Sequence, residues 1–417
     1  MTEDQTPFIT NDAVVLGLLM LILAFVFHTS SKQHGFWKKF YGIVPSVLLC
    51  YFIPSIFNSL GIISGEQSQL YSMASRYLLP ASLVLLTLSI DIKAILKLGP
   101  KALIMFISGT VGIMLGGPIA ILLLSGVMPE IFNGAGPDEV WRGMATIAGS
   151  WIGGGANQAA MLEVFGASPS LFSTMIAVDV IVANIWMAVL LFFTGRAAKV
   201  DKAFKADASA IDELQDKVEQ YRAGIMRIPN MADTMKILGI GFGITGLSHF
   251  LADYIAPWIG ENYPALEKYS LTSGFFWIVV IATTGGLLLS FTKYKQLEGA
   301  GASRLGSAML YVLVATIGTM MDVTAIFEQP QFFLIGLTWM LVHVSIMLLV
   351  AWLIKAPFFY VAVGSQANVG GAASAPIVAS AFNPSLAPVG VLLAVLGYAV
   401  GTYGAYICGL LMQYVSN

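Results

Sequence analysis

The chain has 417 residues, 57% hydrophobic and 11% charged, with a formal net charge of −2. A mean hydropathy of +0.80 excludes a soluble globular domain, where about a quarter of the residues are charged. No basic patch with interleaved aromatics is present, which argues against a nucleic-acid partner.

The first apolar run follows an acidic start, Thr2-Glu3-Asp4, which is the wrong flank for a cleavable signal peptide. A spanning helix needs about 20 mostly apolar residues. By that rule, spans are expected near 12–28, 41–62, 74–92, 101–125 and 169–194. A second set is expected near 233–256, 271–292, 305–323, 331–354 and 386–414. Two glycine-rich segments, 141–165 and 358–382, stand apart from these. Between the sets, 197–232 is polar, and its Ile211-Asp212-Glu213-Leu214 and Val218-Glu219-Gln220-Tyr221 pattern predicts a short amphipathic helix. Cys50 and Cys408 lie in apolar runs and read as small core residues, not as a disulfide or metal ligands.

The two glycine-rich segments repeat each other. Gly149-Ser150-Trp151-Ile152-Gly153-Gly154-Gly155-Ala156-Asn157-Gln158 aligns with Gly364-Ser365-Gln366-Ala367-Asn368-Val369-Gly370-Gly371-Ala372-Ala373, an offset of 215 (364 − 149). The same offset brings Pro169-Ser170-Leu171 onto Pro384-Ser385-Leu386. Further upstream, Asp91-Ile92-Lys93-Ala94-Ile95 aligns with Asp322-Val323-Thr324-Ala325-Ile326 at offset 231 (322 − 91), which puts 16 extra residues in the first half (231 − 215), around 126–141. Each half then reads as four spans, a glycine-rich segment and one more span.

Positive residues mark cytoplasmic loops. Lys32, Lys38 and Lys39 follow the first span, Lys93, Lys97 and Lys101 the third, and Arg196, Lys199, Lys202 and Lys205 open the linker. The loop with Glu130, Asp138 and Glu139 is best placed outside. Segment 141–165 must then enter and leave on the outer face. By the same count, Lys293, Lys295, Arg304 and Lys355 make 358–382 a hairpin from the inside. The expected fold is an all-α polytopic membrane protein: two inverted repeats of five transmembrane helices, each with a re-entrant glycine-rich hairpin. The repeats would span 1–195 and 233–417, joined by a cytoplasmic linker at 196–232, in the inner (plasma) membrane with both termini outside. In a second topology, both glycine segments are broken crossings.

Glycine-rich breaks in corresponding apolar segments point to the binding site of a secondary transporter. Helix N-termini there suit an anionic group, and loose carbonyls and hydroxyls suit a hard cation. The candidate residues of the first tip are Ser150, Gly154, Gly155, Asn157 and Gln158, and those of the second are Ser365, Gln366, Asn368, Gly370, Gly371 and Ser374. Asp179 is the one acid well inside an expected span, where a carboxylate is costly and by default functional. Asn157, Asp179 and Asn368 are the candidate sodium ligands, and a proton on Asp179 is the alternative coupling ion. Tyr398, Thr402, Tyr403 and Tyr406 make the last span polar, facing either a substrate or another helix. Asp91 and Asp322 read as caps at span ends, and His249 and His343 as core histidines. No nucleophile–base pair, HExxH or P-loop suggests an enzyme, and no cofactor is expected.

The paired motifs Gly149–Asn157 and Gly364–Gly371 resemble those of the YjcL-like family of membrane proteins, which carries a domain of unknown function. The order of spans and hairpins is more distantly similar to the sodium–citrate and sodium–glutamate symporters, within the cation–proton antiporter and bile-acid transporter group. Leu88-Ser89-Ile90-Asp91-Ile92-Lys93-Ala94-Ile95 is similar to a segment common there. That resemblance implies inverted repeats, an elevator movement and a homodimer. The chain departs from those relatives in having no Arg near the second tip to clamp a carboxylate. The leading expectation is sodium-coupled symport of a small organic anion, amino acid or short peptide. The alternatives are a cation–proton antiporter and a receptor or scaffold without turnover.

Overall fold

The structure, a computed structural model, describes residues 7–32, 34–41, 44, 46–65, 67–206, 228–321, 330–383 and 386–416. The amphipathic pattern at 211–221, the Asp322–Ile326 half of the upstream match, and Pro384 and Ser385 lie outside the described residues. Among those described, all regular structure is helical. The main helices are α1 (Asp12–Ser30), α2 (Gly35–Tyr41), α3 (Ser46–Ser59), α4 (Leu79–Leu88), α5 (Pro100–Ser125), α6 (Val140–Gly153), α7 (Gly155–Phe165) and α8 (Pro169–Thr194). They are followed by α9 (Ala197–Phe204), α10 (Met231–Asn262), α11 (Gly274–Ser290), α12 (Ala302–Gly318), α13 (Phe332–Ile354), α14 (Phe358–Val369), α15 (Gly371–Phe382) and α16 (Ala387–Ser416).

Among the described residues, six helices are long and apolar enough to cross a membrane, and eight if two bent pairs each count as one span. The sequence predicted ten. The differences fall where the helix is short or locally irregular. The span expected at 41–62 holds only the 14-residue α3, and that at 305–323 overlaps only the 17-residue α12, which starts earlier, at Ala302. The span expected at 74–92 begins earlier, as three abutting pieces: Leu70–Met73, a π-helical turn Ala74–Leu78, and α4. Pro80 accounts for the irregularity. It has no N–H to give the Arg76 carbonyl one turn before, and its ring crowds that turn. The wider turn relieves the crowding, and Nε2 of His249 on α10 donates to the Arg76 carbonyl at 2.8 Å. His249→Phe strands that carbonyl. The expected cost is about 1–3 kcal/mol, read as a lower thermal-unfolding midpoint; an unchanged midpoint would show that the bond contributes nothing.

Local sequence sets several helix ends. Asn230 and Asp233 form a capping box at the start of α10. Ser168 accepts from the Leu171 amide and Pro169 opens α8. The Asp91 carboxylate accepts from the Ala94 amide and from Lys295 Nζ at 3.2 Å, so it caps the start of the short helix Ile92–Leu96. Asp201 on α9 accepts from the Phe358 amide, tying the start of the linker to the start of α14.

The helices pack in two groups, and each draws on both halves of the sequence. In one group α4 packs on α10, α11 and α12, and α3 lies between α1 and α12. In the other, α5 packs on α13, α14 and α16, while α6 packs on α7, α8 and α16. The α14–α15 pair also packs on α16, and α8 touches both α13 and α15. The groups meet chiefly through α4, α11 and α12 against α7 and α16. One end of that seam is tied by polar contacts. Glu163, on α7, accepts from the Tyr71 hydroxyl and lies 3.7 Å from the Arg76 guanidinium. Ser270 donates to the Val164 carbonyl, and the Tyr406 hydroxyl to that of Tyr269.

Candidate functional site

Both glycine-rich segments are broken helix pairs. In the first, α6 ends at Gly153, Gly154 takes a φ of 76°, and α7 starts at Gly155. In the second, α14 runs to Val369, and α15 begins with Gly371 at a φ of 57°. Residues with a Cβ rarely adopt these left-handed values, which is why glycine stands at both breaks. Each break leaves the first amides of a new helix without an intrahelical carbonyl.

The two breaks open on one cavity of about 400 Å³, within the range of small-molecule sites. Of the residues singled out in the sequence, Ser150, Gly154, Gly155, Gln158, Asp179, Gln366, Gly370, Gly371 and Ser374 line it. The cavity lies on the seam between the helix groups, since Ser46, Tyr51, Leu86, Ser307 and Tyr311 close its other side. Among the described residues no Lys, Arg or His lines it, and Asp179 is its one carboxylate.

Asp179 sits mid-way along α8, and its residue is 5% exposed. Trp151 Nε1 donates to Oδ1 at 2.7 Å and Gln158 Nε2 to Oδ2 at 3.0 Å. These donors come from both sides of the α6–α7 break, so the break orients the carboxylate of a neighbouring helix. Trp151 is itself held by Trp339 on α13, with ring centroids 5.1 Å apart.

Asn157, Ser365 and Asn368 are placed differently: none lines the cavity. The Asn157 amide donates to the carbonyls of Gly153 and Tyr398 and accepts from Thr402. Asn368 does the same against α5, donating to Phe106 and Gly364 carbonyls and accepting from Thr110 at 2.8 Å. Each side chain pins a broken pair to a long helix. Ser365 lies in a relay: Trp186 donates to its hydroxyl, which meets His343 Nε2 at 2.8 Å, while His343 Nδ1 faces the Gly109 carbonyl. A neutral imidazole with its proton on Nδ1 satisfies every group of that chain. Asn157→Leu and Asn368→Leu are each expected to cost about 1–3 kcal/mol of stability, seen in thermal unfolding. A variant that melts normally yet loses ligand binding would instead make that asparagine a ligand contact.

The polar residues of α16 divide. Tyr398 lines the cavity, whereas Thr402 bonds Asn157, Tyr403 bonds Thr284, and Tyr406 bonds the Tyr269 carbonyl. Sequence reasoning missed Tyr51, Tyr311 and the Trp151 donor. Tyr51 stands in Leu48-Leu49-Cys50-Tyr51-Phe52, where a lone phenol in an apolar run was the available signal. Two buried oxygens at the cavity have no hydrogen-bond partner among the described residues: the Tyr51 hydroxyl and Gln366 Oε1.

A family model described as a protein of unknown function (DUF819) matches residues 17–415. The chain is also 24% identical over 362 residues to YjcL of Bacillus subtilis (strain 168), described as an uncharacterized membrane protein; the match covers 84% of this chain and 85% of that one.

Proposed function

The chain belongs to the DUF819 family of proteins of unknown function, and from the site it carries we propose that it is a multi-pass membrane transporter. The observation behind this reading is the convergence of two glycine-broken helix pairs and the intramembrane Asp179 on one cavity. Such breaks at membrane depth are tolerated where they line a cavity, and secondary transporters place substrate there. In this reading the pairs α6–α7 and α14–α15 are re-entrant hairpins of two inverted repeats, 1–195 and 233–417. The linker 196–232 is cytoplasmic and both termini face out of the inner membrane. The group built on α5–α8 and α13–α16 moves as a unit against the group of α1, α3, α4 and α10–α12, carrying the cavity across as an elevator. The latter group also offers the homodimer surface. Substrate is a small organic anion, amino acid or short peptide, taken up with sodium.

The test is the thermal stability of purified protein against anions, amino acids and dipeptides, with and without sodium, followed by uptake of any hit into proteoliposomes. A ligand that binds only the folded state adds about 2.7 kcal/mol at a hundred times its dissociation constant. A hit that needs sodium and accumulates down a sodium gradient supports symport; a hit that binds but never crosses would favour a receptor.

A second reading, cation–proton antiport, draws on Asp179 alone. Its hydrogen bonds come from neutral donors, so a proton or a cation is left to balance its charge. A pH-sensitive dye in proteoliposomes would show proton efflux on adding sodium, without organic substrate.

A further inference from the structure

The cavity presents both side-chain acceptors and backbone amide donors. The acceptors are Asp179, Gln366 Oε1 and the Tyr51 hydroxyl. Two of the lone-pair positions of Asp179 are taken by Trp151 and Gln158, which leaves about two of its four free. Gln366 is 1% exposed and Tyr51 2% exposed, and neither oxygen has a partner among the described residues. Two unpaired buried oxygens at a cavity mark where a ligand supplies hydrogens.

The donors are at the start of α15, where Gly370, Gly371, Ala372 and Ser374 line the same cavity. Its first amides have no carbonyl of their own helix to bond, and the helix dipole adds partial positive charge. This end suits one carboxylate. It does not suit two, because no cationic side chain lines the cavity among the described residues and Asp179 already brings a negative charge.

We infer that the cavity binds a small zwitterion, an amino acid or dipeptide, with its ammonium among Asp179, Gln366 Oε1 and the Tyr51 hydroxyl and its carboxylate at the start of α15. An ammonium offers three donors, which matches three open acceptors. A sodium ion needs a wider shell of oxygens. Around Asp179, two of the groups that point at the carboxylate are N–H donors, from Trp151 and Gln158, and these have no lone pair with which to ligate a metal cation. This inference rests on the transport reading for the site's purpose, but it concerns only what the site recognises.

The experiment is calorimetric titration of the full chain in nanodiscs with L-alanine and L-alanyl-L-alanine, in sodium and in choline buffers. Each is compared with its blocked forms: propionate and N-acetyl-alanyl-alanine lack the ammonium, and the C-terminal amides lack the carboxylate. At least one zwitterion should bind, and both of its blocked forms should be weaker by about tenfold or more. Tyr51→Phe and Gln366→Leu should each weaken the zwitterion several-fold. Tyr51→Phe removes a hydroxyl that has no partner among the described residues, so its unfolding midpoint without ligand should not fall. An ammonium-free monocarboxylate that binds as tightly as the zwitterion, in sodium only, overturns the inference and puts sodium in the ammonium's place, while the transport reading stands. Failure of both zwitterions to bind overturns it too. The transport reading is then judged separately, by gradient-driven uptake of the wider anion panel.

Discussion

Asp179→Asn is expected to abolish ligand binding and uptake in a chain that still folds. Asparagine keeps the volume of aspartate, and its carbonyl can still accept from Trp151, so the packing around α8 is preserved. What disappears is the one negative charge lining the cavity among the described residues. Leaving a buried charge without its partner costs about 3–5 kcal/mol, so affinity for a ligand cation should fall by roughly two to four orders of magnitude. Binding and proteoliposome uptake should fall together while the unfolding midpoint stays near that of the parent. Retained uptake would reduce Asp179 to a structural anchor for the α6–α7 break.

The largest loss of stability is expected from Gly401→Val. Gly401 on α16 faces Gly153 at the end of α6, backbone against backbone, and a Cβ on Gly401 would fall within contact distance of the Gly153 Cα and 2.7 Å from the Asn157 amide nitrogen. The whole α6–α16 contact would have to shift, because neither neighbour is the free end of a flexible side chain. Forced overpacking of this kind costs about 3 kcal/mol or more, and it would also pull Asn157 off the Tyr398 carbonyl. The variant should melt far below the parent or fail to purify. Gly239→Ala on α10, where a Cβ would meet nothing within 4 Å, is the control and should melt normally. Equal behaviour of the two variants would mean that the close approach of α6 and α16 does not exist.

The sequence carried the class of the protein and the location of its breaks, because both depend on local composition. An apolar run reports its solvent wherever it sits, and Gly154 and Gly371 were legible because left-handed backbone selects for glycine. Asp179 stood out because a carboxylate inside an apolar span is rare. The roles of individual polar residues were less legible. Asn157, Asn368 and Gln158 look alike in the sequence, yet the first two bond the backbone of α16 and α5, and the third faces Asp179. That distinction depends on which helix lies opposite, through partners more than 200 residues away for the asparagines (398 − 157 and 368 − 106). Tyr51 escaped notice for the same reason: its apolar run marks a lone phenol, but the helices opposite decide whether that phenol lies in a packed core or at a cavity. The π turn before Pro80 had its cause in the sequence, but the histidine that completes it comes from α10.

The indole of Trp151 has one consequence beyond holding a side chain in place. Its N–H rests on the carboxylate that would meet any bound cation or proton, and its ring is buried against Trp339. The emission of an indole follows the local electric field, so the occupancy of Asp179 is written into the intrinsic fluorescence of the chain. Filling the cavity should shift the Trp151 contribution without any attached dye. The shift should be missing from a Trp151→Phe variant, which gives this protein an optical readout that works whatever its ligand proves to be.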